Sequence, residues 1–546
     1  MTSTISASYP NYRAPREHDE RLIMPEIRDL ASAGCWQPSA LQFDSGSSQV
    51  EALEFCGKSL QETRGQARRE VVELSLRHTS QYLDTITPVH QDSLDNQPLI
   101  LGGHQPELFH PGVWFKNFLM SSLAQQQDGI AINFLVDNDL CRETSIRVPQ
   151  RLATGNYTTQ SVPFDRPRDA IPWELRRLES EDAWSSFPKR VQDLLTQSGL
   201  ELALVHDLWA DTLEPISKHG NIGLAIAQAR HLLEQRSGLR TMEVPLSALV
   251  STRAFARFSI QLMSCLPRFQ QIYNSQREAY RKAHKIRSHA HPVPALDQYD
   301  GWLEGPWWVY RPEAPRRQRL WIRFVNDQLI LSDRAGWQAV IEGRLDCDNA
   351  ATQWLEILGE GVKLRPRALL TTMYLRLMVS DLFLHGIGGG KYDQLTDSII
   401  SEYFGIQPPP FAVATATMHL PFPSAHKSAA EIEAAIRKER EAIWDKRFHA
   451  ERSIAESSIE AQQLVEEKRS LLGNIPPKGE KWQWHQDLKR VNAALADMAD
   501  SERNTNAEAV KELQFELRQA KLLESREFSF CLFSSSDLIP KLHALS

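Results

Sequence analysis

The segment Gly102-Gly103-His104-Gln105-Pro106-Glu107-Leu108-Phe109-His110-Pro111-Gly112 sets two histidines on either side of a tight turn that leads into a helical pattern. A helix start suits an anion, because its first N–H groups lack partners and its dipole is positive there. Imidazoles beside it can hold phosphate oxygens or offset the charge that develops as phosphate is displaced. Lys116 follows within reach of the same place. His104, His110 and Lys116 are therefore the candidate catalytic residues, with Gly102, Gly103 and Gln105 as ligand contacts. The structural alternative is a strand–helix turn in which His104 and Gln105 only cap backbone groups.

A second segment, Gly386-Ile387-Gly388-Gly389-Gly390-Lys391-Tyr392-Asp393, repeats that layout. Glycines ahead of a helix let the backbone pass close to a ligand. Gly386, Gly388, Gly389, Gly390 and Lys391 are candidate contacts on that ground, with Asp393 as a helix cap. The Gly-Lys-Ser/Thr ending of a P-loop is absent, and a turn that needs positive φ is the alternative. Asp137-Asn138-Asp139 closes an apolar run, where ligands of open α/β sheets gather. These side chains could bind an ammonium, hydroxyls or Mg²⁺, or simply cap a loop. Arg365 and Arg367, around Pro366, could clamp a carboxylate or phosphate, although such residues more often form ion pairs. Arg376 follows them. Cys141 shows no partner that would make it a nucleophile, and His284, His289 and His291 read as a basic loop rather than a metal site.

The elements that must carry these residues are legible as patterns. Pro98-Leu99-Ile100-Leu101 reads as a buried strand stopped by Gly102-Gly103, and Pro111 opens a helix through Phe115, Phe118, Leu119 and Leu123. Ala131 to Val136 is the next strand, and Phe411 to Met418 a later one. Strand, glycine turn, helix, strand is the opening of a parallel, doubly wound α/β sheet. Residues from about 165 to 290 read as a helical insertion. Leu320 to Val325 and Leu329 to Leu331, split by Asn326-Asp327, read as a hairpin. Ser428 to Leu472 has helical spacing, and at about 1.5 Å per residue it would form a rod of roughly 66 Å. A second helical stretch to Glu524 would return along it as an antiparallel coiled-coil hairpin, and Phe528 to Phe533 would rejoin the core as a strand. The expected divisions are a flexible arm at 1–20, a core at 21–423, the coiled coil at 424–525 and the returning strand at 526–546.

The chain has 546 residues, 42% hydrophobic and 24% charged, which suits a large folded core. A net charge of −7 argues against a general nucleic-acid binder but leaves room for a local basic pocket. The six cysteines are scattered without a Cys-x-x-Cys pair, so reduced thiols in a cytoplasmic protein are expected. The polar N-terminus lacks the apolar core of a signal peptide, and no apolar run is long enough to span a membrane.

In the order of these segments the chain resembles the cysteine-adding enzyme family of bacillithiol synthesis. Gly103-His104-Gln105-Pro106-Glu107-Leu108-Phe109 matches the family's glycine-Gln-Pro-x-Leu-Phe turn. Asp137 to Asp139, Arg365-Pro366, Gly386 to Gly390 and Pro408 to Val413 resemble its later segments, and a terminal coiled coil completes the likeness. The chain departs from the family pattern at His104, at the acidic segment and at Gly388 to Lys391, which points to a divergent member. The resemblance implies a Rossmann-like, nucleotidyl-transferase-like core and a homodimer formed through the coiled coil. It also implies ligation of cysteine, or a similar amino acid, to an amino-sugar malate. ATP, leaving as ADP or AMP and accompanied by Mg²⁺, would activate the carboxylate. A nucleotidyl transferase, or a nucleotide- or sugar-binding protein without catalysis, is the alternative.

Overall fold

The computed structural model describes residues 10–27, 29, 54–84, 97–201, 203–287, 293–423, 427–451, 458–498 and 503–546. His289, His291 and the first nine residues of the expected N-terminal arm lie outside them.

The main sheet has six strands in the order Glu20–Met24, Phe411–Thr417, Leu382–His385, Leu99–His104, Ile130–Leu135 and Met242–Pro245. The last five run parallel, and Glu20–Met24 pairs antiparallel at one edge. Side chains alternate across the sheet with the period of two that a pleat imposes. Leu99, Leu101, Ile130, Ile132 and Phe383 enter one apolar cluster, while Ile100, Ala131, Leu382 and Leu384 enter the other. Helices cover both faces, which is why these strands read as unbroken apolar runs. Leu60–Thr79, Arg253–Ser264 and Ala368–Met378 lie on the first face; Pro111–Gln126 and Ile222–Arg236 lie on the second.

Chain order fixes where a ligand can sit. From Leu99–His104 the chain winds outward through Ile130–Leu135 to Met242–Pro245, then crosses back to Leu382–His385 on the other side of the first strand. The winding therefore reverses between Leu99–His104 and Leu382–His385, and the helices that follow those two strands diverge, leaving a crevice at their carboxyl ends.

Several expectations need correction. Gly102-Gly103 does not stop the first strand, which continues to His104; a Cβ on Gly103 would come 3.0 Å from the Phe134 carbonyl of the neighbouring strand. The 165–290 stretch is not a separable insertion, because Met242–Pro245 inside it is a strand of the main sheet. The long rod is divided into helices Ala429–Phe448 and Ile459–Gly473. Ala429–Phe448 packs antiparallel on Arg503–Leu523 through Ile432, Ile436, Leu513, Leu517 and Ala520. Ile459–Gly473 packs on Lys481–Met498 through Val465, Val491 and Leu495. Phe528 to Phe533 is not a strand: a short 3-10 turn, Phe530–Leu532, precedes the helix Ser535–Leu545. Its apolar side chains still bury themselves in the second-face cluster, so composition foretold the return and not its backbone form. Cys56 and Cys347 form a disulfide, contrary to the expectation of six reduced thiols.

The expected hairpin is present. Val325 pairs with Gln328, and Asn326 takes the positive φ that such a tight turn requires. It belongs to a second, antiparallel sheet spanning Gln298–Ile341, to which Lys363–Pro366 adds by pairing with Trp302–Arg311. No described helix is long and apolar enough to cross a membrane.

Candidate active site

A cavity of about 580 Å³ opens at the carboxyl ends of Leu99–His104 and Leu382–His385, where the winding reverses. Small-molecule sites commonly enclose ~300–1,000 Å³. Each of the two strands feeds a helix whose first turn lines the cavity: Pro111–Gln126 and Ile387–Phe404.

The two helix starts are finished differently. His110 is the N-cap of the first, and its Nδ1 accepts from the Gly112 N–H at 3.1 Å. Gly386 is the N-cap of the second and offers no side chain. The first hydrogen bond there runs from Gly390 N–H to the Gly386 carbonyl, so the N–H groups of Ile387, Gly388 and Gly389 precede the helical ladder. None of these glycines has positive φ, so the turn alternative does not account for them. Asp393 does not cap this helix; it is buried inside it.

Two cations face the cavity. Lys116 is buried and donates from Nζ to the Gly103 carbonyl at 3.0 Å. Burial, reinforced by Arg230, pulls its pKa down to about 8, so it still carries charge at neutral pH. Arg526 comes from beyond the helical arm and donates from Nη2 to Thr415 Oγ1 at 2.7 Å, while its Nε and Nη1 are buried without a hydrogen-bond partner. Glycine is required at 112 for this approach, because a Cβ there would stand 2.3 Å from the Ala416 carbonyl and 2.4 Å from Arg526 Nη2. Gly112→Ala should therefore lower stability by about 1–3 kcal/mol, as overpacked sites do, and urea unfolding would measure it.

The histidines do not supply the positive charge expected of them. Burial drives His104 down to about 3 and His110 down to about 4. Both are neutral imidazoles at pH 7. His104 Nδ1 lies 3.2 Å from the Gln105 carbonyl and donates to it, which leaves Nε2 as a lone-pair acceptor.

A third histidine, absent from the sequence-based candidates, also lines the cavity. His385 donates from Nε2 to Asp393 Oδ2 at 2.8 Å. Arg376 donates to the same oxygen at 2.8 Å and Thr372 to Oδ1 at 2.6 Å. Burial raises the Asp393 pKa, but Arg376 and His385 outweigh it and hold the carboxyl well below its usual range. Burial keeps His385 below the ordinary imidazole value despite Asp393.

The cavity thus unites Gly103, His104, Gln105, His110, Lys116, Gly386, Gly388 and Gly389. The other candidates lie elsewhere. Gly102 packs in the sheet against Met120, Gly390 against Val413 and Tyr12, and the exposed Lys391 offers its carbonyl to Tyr280. Asp137 accepts from Ser247, and burial beside Glu174 raises its pKa to about 7. Asn138 donates to the Pro366 carbonyl at 3.0 Å, and Asp139 receives Gln105 at 2.7 Å and Arg317 at 3.2 Å. Arg365 is not a free clamp, because both arms of its fork engage Glu174 at 2.8 Å. Arg367 pairs with buried Glu304 at 2.6 Å and lies over the Trp308 ring. Burial lifts the Cys141 thiol to about 12, which leaves it unreactive. Among the described residues no cluster could hold a metal ion.

No protein-family model and no curated relative matches the chain.

Proposed function

We propose that the chain is an ATP-using carboxylate–amine ligase, built on a Rossmann-like core, that binds the nucleotide's phosphates in this cavity. One observation carries the reading. Two helix starts, one of them without a capping side chain, converge with Lys116 and Arg526 at the point where the sheet winding reverses. Unpaired N–H groups and fixed cations are what a polyphosphate needs. An unactivated carboxylate does not acylate an amine, so phosphate chemistry is the expected first step. The resemblance of Gly103 to Phe109 to the cysteine-adding family supplies the substrate class, an amino acid joined to an amino-sugar malate. Mg²⁺ would accompany the nucleotide. The paired helices Ala429–Phe448 and Arg503–Leu523 support a coiled-coil reading of the arm, and exposed Trp444 on it suits a homodimer. Use of ATP suits a cytoplasmic setting.

A second reading is nucleotidyl transfer to another small molecule. It is favoured by the position of Asp137 and Asp139, the expected amine or sugar contacts, outside the cavity. Thermal shift against ATP, ADP, cysteine and glucosaminyl-malate, with and without Mg²⁺, separates the readings. A ligand at ~100 times its Kd adds roughly 2.7 kcal/mol. Stabilisation by both nucleotide and sugar malate is the expected result. Nucleotide alone, with pyrophosphate released in the absence of cysteine, would favour transfer. No shift with any nucleotide would remove both.

A further inference from the structure

The geometry points to His385 as the general base of the site, oriented by Asp393, taking the proton released when the amine is acylated; this rests on the ligase reading and deepens it. Its Nε2–H is committed to Asp393 at 2.8 Å, and that single bond fixes the tautomer: Nδ1 must carry the lone pair. Asp393 is itself immobilised by Arg376 and Thr372, so the ring has one orientation. Nδ1 faces the first turn of Ile387–Phe404, where a Cβ on Gly389 would lie only 2.6 Å from it. Any residue but glycine there would cover the lone pair. The N–H groups of Ile387, Gly388 and Gly389 belong to the same turn. A nitrogen with a free lone pair, beside backbone donors that can hold an oxyanion, is the arrangement that acyl transfer requires.

The step balances. The amine nitrogen attacks the activated acyl carbon, forming the C–N bond. The C–O bond to the phosphate breaks, and the phosphate departs with its electron pair. The proton on nitrogen passes to Nδ1 of His385 and then to solvent. Asp393 offsets the imidazolium that forms, while Arg376 and Lys116 are the cations that press it to release the proton.

Two variants and two readouts test this. His385→Gln keeps a donor for Asp393; Asp393→Asn keeps the shape and removes the charge. Each should lower amide formation ~10²–10⁴-fold, a larger loss than any change in the Kd for ADP. In His385→Gln the fall of turnover toward acid pH should vanish, which a merely structural contact would not produce. Independently of turnover, diethyl pyrocarbonate should carbethoxylate His385 in the native protein, with the adduct found by peptide mass spectrometry. An unmodified His385, or turnover that survives His385→Gln with its acid limb intact, overturns the base while leaving the ligase reading standing. A wild-type chain that carbethoxylates at His385 but binds no nucleotide overturns the ligase reading, and the assignment of the amine as proton donor goes with it.

Discussion

Lys116→Met should lose ~10²–10³-fold in turnover and most of its nucleotide affinity, while the empty protein stays at least as stable as wild type at pH 7. The two halves of this result have one cause. Lys116 is held in a site that disfavours its charge, with its pKa lowered to about 8. Between about 8 and the ordinary lysine value the unfolded chain binds a proton that the folded one does not, so stability rises with pH across that window. Below it the folded protein bears the full cost of a buried ammonium, and methionine removes that cost at similar volume. Nucleotide affinity runs the opposite way. It should be full at pH 7 and decline as pH climbs through about 8, because the bound phosphates need the charge. Calorimetric titration with ADP from pH 6.5 to 9 reads the affinity, and urea unfolding reads the stability. A variant that unfolds more readily and binds ADP normally would show Lys116 to be a structural residue.

Asp381→Ala should cost about 3–5 kcal/mol, the usual penalty for removing one member of a buried ion pair. Asp381 receives Arg64 at 2.7 Å and Arg68 at 2.8 Å, and its Oδ2 also accepts the Leu99 N–H at 2.7 Å. All three side chains are buried. Alanine would take from two guanidinium groups on the Leu60–Thr79 helix the carboxylate they share. Asp381→Asn keeps the hydrogen-bonding shape and should cost less. Asp381 sits at the amino ends of the two strands whose carboxyl ends hold the cavity, and its own N–H donates to the Leu99 carbonyl at 2.9 Å. The substitution should therefore also weaken nucleotide binding from the far side of the sheet. Equilibrium unfolding in urea measures the first effect; an unchanged midpoint would mean that the triad contributes nothing net.

What sequence revealed and what it hid follows from the range of the interactions. The turn from Gly102 to Gly112 and the glycines from 386 to 390 are local signals, a strand pattern meeting a helix pattern, and both contribute residues to the cavity, though not Gly102 or Gly390. The hairpin at Asn326 is equally local. Arg365 and Arg367 looked like a clamp because their acids, Glu174 and Glu304, lie far away in the chain and come close only through the second sheet. Asp137 was misplaced for a similar reason, since its partner Ser247 follows a strand hidden in a helical stretch. His385 was readable as the last residue of an apolar run, and Asp393 as a helix start. Their pairing at eight residues' separation needs the helix to begin at Ile387 rather than later, which four glycines disguise. Arg526 gave no signal at all, lying beyond a long charged helical stretch.

That last residue has a consequence for how the protein is made. The cavity draws first on Ala14, then on Gly103 to Lys116, then on His385 to Asp393 and Thr415, and finally on Arg526. The whole helical arm is translated between Thr415 and Arg526. A nascent chain can complete the sheet, with its helix starts and Lys116 in place, and still lack the second cation. If Arg526 holds the ligand as proposed, ligand competence would be acquired late in synthesis, after the arm has emerged.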